Sequence, residues 1–196
     1  MGFLTKNNEQ KAELSQRQIL ETRFKNARSN LLLVLGFTVI NVILLVTNSN
    51  SYFLFSAYVP YLLADLGMTL CGLYPQEFYG EELAGMEFLD TSFLTVMLAV
   101  AGVILAVYLL CWIFSKNNRR GWLIVALVFF AIDTVLLLLM GGIALDMIVD
   151  YVFHGWVIVS LAMGIVAAGK LKNLPEEAEY PEQMPEDGNE TLLPEE

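Results

Sequence analysis

Four long apolar runs divide this chain, and polar residues cluster in the short breaks between them. The runs lie at 31–47, 92–114, 121–140 and 147–169. A helix needs ~20 mostly apolar residues to cross the hydrocarbon core of a bilayer. The last three runs are long enough. The first is slightly short unless it extends back toward Ala27. Asn48 to Ser51, Ser115 to Arg120 and Gly141-Gly142 carry the turn chemistry that separates such helices. The pattern predicts an all-helical integral membrane protein, a four-transmembrane-helix bundle over 30–172 with an outer loop at 48–91. The first run reads as a retained span, because about thirty polar residues precede it and no small-residue cleavage pattern ends it.

Residues 52–74 break this simple picture. They are apolar and aromatic, but Pro60 and Asp65 interrupt them. A fifth crossing there would place the acidic stretch Glu77 to Asp90 beside the cytoplasm and send Lys116, Arg119 and Arg120 outward, against the bias of basic loops. The expectation is an outer interfacial or re-entrant segment. Residues 1–29 mix charges with Leu14, Ile19, Leu20 and Phe24 on a loose stripe, which predicts a basic amphipathic juxtamembrane helix on the cytoplasmic bilayer surface. Residues 173–196 hold nine acids and no base, and predict a disordered cytoplasmic tail.

Charge sets the orientation. The eleven Lys and Arg fall in three places: six before Ser29, three in the turn at 115–120, and Lys170 with Lys172. Four spans put all three on one side. The basic-loop rule makes that side cytoplasmic, so both termini are expected inside a cell membrane. Lys25, Arg28, Lys116, Arg119, Arg120, Lys170 and Lys172 are the expected lipid-headgroup contacts. The net charge of −10 comes almost wholly from the tail, and no basic face exists to meet nucleic acid. Hydrophobic residues make up 56% and charged residues 16% of the chain, too apolar for a soluble core of this size. The expected partners are the lipid bilayer and, because the bundle core is small, a second copy or another membrane protein. Cys71 and Cys111 fall at opposite ends of the bundle and should not pair. No cofactor motif is present.

The remaining chemistry lies in polar residues within the spans. An acid near the bilayer centre costs roughly 2.5–3.5 kcal/mol on insertion scales, so it needs a partner or water. Asn41, Asp133, Asp150 and His154 are such positions, with Asp146 at the outer edge. Asp133 has only apolar neighbours on its own helix face. His154 sits at a similar depth on the next, antiparallel span, so the two side chains are expected to meet. Asp150 and His154 stand four residues apart, on one face with Asp146. Ser160, Gly164 and Ala168 continue that face with small residues, the signature of close helix packing.

Three roles are open to the cluster: a structural bond that sets helix register, a proton or cation path, and catalysis. The last has least support, with one histidine and no hydrolase, zinc or phosphate-loop motif. The functional expectation is a proton- or cation-responsive transporter or channel using Asp133, His154, Asp150, Asp146 and Asn41. The alternative is a non-transporting accessory or scaffold subunit, with the acidic tail as its docking arm. On the first reading, Asp133→Asn should abolish pH-dependent flux and leave the fold intact.

Overall fold

The structure, a computed structural model, describes residues 2–49, 51–53, 55–80, 87–142 and 147–174, with side chains from residue 16 onward. Six helices follow one another: α1 (Gly2–Val46), α2 (Tyr58–Leu70), α3 (Gln76–Tyr79), α4 (Ser92–Phe114), α5 (Arg120–Gly141) and α6 (Ile148–Leu171). No strand occurs among the described residues. Four helices, α1 from Gln16, α4, α5 and α6, are long and apolar enough to cross a membrane. Their outward faces carry large apolar side chains throughout: Leu139 is 74% exposed, Val152 67% and Val103 65%. A belt of that kind is unsuited to water and suited to lipid. The acidic tail beyond residue 174 and Asp146 lie outside the described residues.

Helix α1 runs through position 29 without a break. The reason is its buried face. Leu20, Phe24, Ala27, Leu31, Val34, Thr38, Asn41 and Leu45 are all buried, at alternating steps of four and three residues. That is the 3.5-residue repeat of a coiled-coil seam. The segment before Ser29 continues the same stripe as the apolar span, so one helix carries both. The seam of α1 packs chiefly on α6. At their closest approach the packing partners are Ala27 and Gly164, where a Cβ on Gly164 would lie 2.4 Å from that of Ala27. Asn30 donates to the Ser160 hydroxyl one turn away. The small-residue face of α6 is thus the dry seam against α1. α5 shows the same repeat, burying Leu123, Ala126, Phe130, Asp133 and Leu137.

α4 lies between α1 and α5, and α6 closes the bundle between α5 and α1. At the basic end α1 and α4 are cross-linked. Arg28 donates to the Ser115 hydroxyl and to the Trp112 carbonyl, with its guanidinium 5.6 Å from the Trp112 ring. Arg28 is therefore turned into the bundle, where the sequence reading expected a headgroup contact. At the other end α2 fits between α1, α4 and α5 as a wedge.

α2 begins deep and ends at the loop end. Beyond Val46 the described residues lie back along α1. Phe53 pairs with Asn41, and Ala57 donates to the Thr38 hydroxyl. Val46 to Thr38 is about two helical turns, or ~12 Å. α2 then returns outward and stops at a Schellman motif, in which Leu73 donates to Met68 and Gly72 to Thr69. Gly72 takes φ +68°, and a Cβ there would meet the Phe88 ring at 2.6 Å. Residues 52–74 are thus re-entrant with respect to the bundle. Asp65, on the returning helix, accepts from the Tyr74 hydroxyl at 2.5 Å, and burial with this bond pushes the Tyr74 phenol up from its ordinary range.

Candidate functional site

A helix begins with backbone N–H groups that have no partner within it. In α2 these belong to Ala57, Tyr58, Val59 and Pro60, and each is accounted for. Ala57 N–H donates to Thr38 Oγ1 at 2.8 Å. Tyr58 N–H donates to Asp133 Oδ2 at 2.9 Å, and Val59 N–H to Asp133 Oδ1 at 2.8 Å. Pro60 has no N–H to satisfy. Proline in the first turn is compatible with a helix, so Pro60 marks the start of α2 rather than a break in it. The N-terminal dipole of α2 also points at the carboxylate of Asp133. A buried acid thus caps a helix that belongs to a different part of the chain.

The extended segment ahead of α2 is held in the same way. Irregular backbone away from water must have its polar groups satisfied by protein. Asn41 Nδ2 donates to the Phe53 carbonyl at 2.6 Å and to Ser56 Oγ at 3.0 Å. Asn41 Oδ1 accepts from Phe53 N–H at 2.8 Å. Tyr52 and Ser56 share a hydroxyl–hydroxyl bond. Phe55 adopts φ +77°, a strained value for a residue with a Cβ. Its ring is locked edge-on against Phe153, with centroids 4.3 Å apart, and against Phe37. Asn41 therefore does not join Asp133 and His154. It anchors the segment that leads to them. Asn41→Leu is expected to strip both backbone groups of Phe53 and to cost about 2–4 kcal/mol. Thermal unfolding in detergent would check this, and an unchanged midpoint would refute the anchoring role.

Asp133 and His154 meet. His154 Nε2 lies 3.3 Å from Asp133 Oδ2, and both residues are 2% exposed. The imidazole stacks on Phe130, with centroids 5.0 Å apart. Its other nitrogen, Nδ1, faces the Asp150 carbonyl at 2.8 Å. A carbonyl can only accept, so Nδ1 carries hydrogen. A hydrogen bond between Nε2 and Oδ2 then requires one further proton on that axis. Placed on His154, it gives an imidazolium facing a carboxylate that accepts from three N–H groups, and every donor finds an acceptor. Placed on Asp133 Oδ2, it makes that oxygen a hydroxyl, a poorer acceptor for Tyr58 N–H. Placing that proton on His154 thus leaves every donor of the clamp with an acceptor.

The spacing of Asp150 and His154 does not make a metal site here, because Nδ1 is committed to the backbone of Asp150. No group of three His, Cys, Asp or Glu that could hold a metal occurs among the described residues. The Asp150 side chain instead lines a cavity of about 230 Å³ with Tyr52, Tyr58, Tyr61, Leu137, Met147 and His154. Tyr52 and Tyr61 stand at 79° to one another, forming two of its walls. His154 thus has two faces. One is buried on Asp133, and the other borders a cavity with an acid and three phenols.

Sequence reasoning overlooked Thr38, Ser56, Tyr58 and Val59. Thr38 and Asn41 stand three residues apart in an otherwise apolar helix, and that spacing was the available signal. Of the expected headgroup residues, Lys25, Lys116, Arg119, Arg120, Lys170 and Lys172 are exposed at the basic end, and Arg28 is not. No family model matches this chain, and no curated protein or solved structure matches it.

Proposed function

We propose that this chain is a multi-pass protein of the cell membrane, with both termini cytoplasmic, that acts as a proton-responsive transporter or channel. Its responsive part is the clamp of Asp133 and His154 on the first turn of α2. The observation that carries this reading is the 3.3 Å approach of His154 Nε2 to Asp133 Oδ2, a bond that needs a shared proton, beside a cavity whose lining includes His154 and Asp150. With that proton present, the buried charges of the clamp sum to zero. Without it, an uncompensated carboxylate is left buried, which costs several kcal/mol. Loss or gain of one proton therefore changes how firmly α2 is held. Asp150 and the tyrosines supply the polar surface by which a proton or small cation would approach from the outer side.

The membrane part of the reading rests on the four apolar helices and on the eleven cations that four spans would gather on one side. Proton entry into proteoliposomes, followed with a trapped pH dye after an acid step outside, tests the function. Wild-type vesicles are expected to acidify faster than protein-free ones, and His154→Gln vesicles at the protein-free rate. A wild-type rate equal to that of protein-free vesicles, or a variant rate equal to wild type, would overturn the proposal.

A further inference from the structure

Two cavities at the basic end share a rim. The first, about 390 Å³, lies between the start of the α1 seam and the end of α6 and is half polar: Gln16, Arg23, Lys170 and Asn173 share its wall with Ile19, Leu20 and Leu174. The second, about 270 Å³, runs away from the basic end and is apolar, floored by Val159, Met163 and Val166 of α6. Leu20, Arg23 and Lys170 line both. The groove exists because α1 and α6 approach most closely at Ala27 and Gly164, leaving a furrow along the flank of that contact. Among the described residues no acid lines either cavity. Neither Arg23 nor Lys170 has a hydrogen-bond or salt-bridge partner among the described residues, unlike Arg28 and Arg17 nearby.

We propose that this furrow binds one acidic glycerophospholipid. Arg23 and Lys170 take the phosphate, Gln16 and Asn173 offer amides to the glycerol headgroup, and an acyl chain lies along Val159, Met163 and Val166. The polarity changes along the furrow in the order that a phospholipid requires, from amide through cation to hydrocarbon. A soluble anion would use only its upper end. Basic pockets between spans are established sites for anionic headgroups, and the apolar lower half commits this one to a lipid. The inference rests on the membrane placement proposed above, but not on proton transport.

Spin-labelled phosphatidylglycerol and phosphatidylcholine, each in proteoliposomes of the full chain, report the relative affinity through the motionally restricted fraction. The wild type is expected to prefer phosphatidylglycerol. The double variant Arg23→Gln/Lys170→Gln should lose that preference by up to about thirtyfold, since each cation near a headgroup is worth about fivefold. Lys25→Gln/Lys172→Gln removes the same charge outside the furrow and should leave the preference intact. Met163→Trp should fill the groove and release the lipid with both cations in place, and glycerol 3-phosphate should fail to displace it. Equal affinity of the wild type for both lipids overturns the site. So does an equal loss in the two double variants, which would mean diffuse attraction. Displacement by glycerol 3-phosphate, with Met163→Trp inert, would make it a site for free phosphate and overturn the lipid assignment. Failure of the wild type to float with vesicles would overturn the membrane placement, and with it this site, whereas floating without selectivity overturns the lipid site alone.

Discussion

Asp133→Ala is expected to free α2 from the bundle while leaving the four long helices packed. The substitution removes both acceptors of the first turn of α2 and the counter-charge of His154 in one step. Breaking a buried pair by deleting one partner costs about 3–5 kcal/mol. The two stranded backbone donors, Tyr58 and Val59, fall within the same loss. The chain carries its own reporter. Cys71 caps the far end of α2, where it is buried and its thiol donates to the Asp90 carbonyl. Cys111, on α4 near the basic end, is fully buried and away from α2. Maleimide labelling of Cys71 should accelerate sharply in Asp133→Ala, and Cys111 should stay protected. Equal acceleration at both would mean global unfolding, and no acceleration would show that Asp133 does not hold α2. The double variant Asp133→Ala/His154→Phe should be less damaged than the sum of its parts, because neither charge is then left alone.

This geometry also revises the expectation that Asp133→Asn would leave the fold intact. An asparagine offers one oxygen where the carboxylate offers two. Its NH₂ would face Tyr58 N–H, Val59 N–H or the Nε2 side of His154. At Oδ1 it meets Val59 N–H and at Oδ2 it meets Tyr58 N–H, so in either orientation donor meets donor. The neutral variant is therefore a clamp variant as well, and a flux measured on it would mix structure with transport. His154→Gln keeps both backbone donors of Asp133 but removes its counter-charge, so its flux is read beside its Cys71 protection.

The features legible in the sequence were those written in side chains along one helix. The runs at 92–114, 121–140 and 147–169 match α4, α5 and α6 to within two residues at each end. The meeting of Asp133 and His154 followed from depth alone, because antiparallel neighbours joined by a short turn have a common origin for counting. Three other features were hidden for physical reasons. The continuity of α1 depends on a 3.5-residue seam that, beyond Leu31, lies in a helix apolar on every side. There, only Thr38 and Asn41 betray the buried face. The main partners of Asp133 are backbone N–H groups, which every residue possesses and no sequence pattern marks. Pro60 sat in a run too short to cross and too apolar to be a loop. Its position in a first turn becomes evident only once the chain ahead of it is known to descend.

Proton dependence separates a working clamp from a static one, and His154→Gln is the variant that should abolish it. The groups facing His154 are Asp133 from α5, the Asp150 backbone and side chain on its own helix, and Tyr52, Tyr58 and Tyr61 across the cavity. On the proposed reading, loss of a proton shared by His154 and Asp133 would leave Asp133 with backbone donors only. The hold on α2 should therefore weaken toward high pH and strengthen toward low pH. Cys71 labelling, divided by the rate for denatured protein at each pH to cancel thiolate chemistry, should climb with pH in the wild type. In His154→Gln the normalised rate should be flat, because glutamine has no proton to lose in that range. Cys111 provides the baseline in both. If the wild-type ratio is flat as well, the ion pair is a fixed strut: α2 would still be capped by Asp133, but the proton would have no part in moving it. A ratio that climbs in the wild type and stays flat in the variant ties one imidazole proton to the release of one helix.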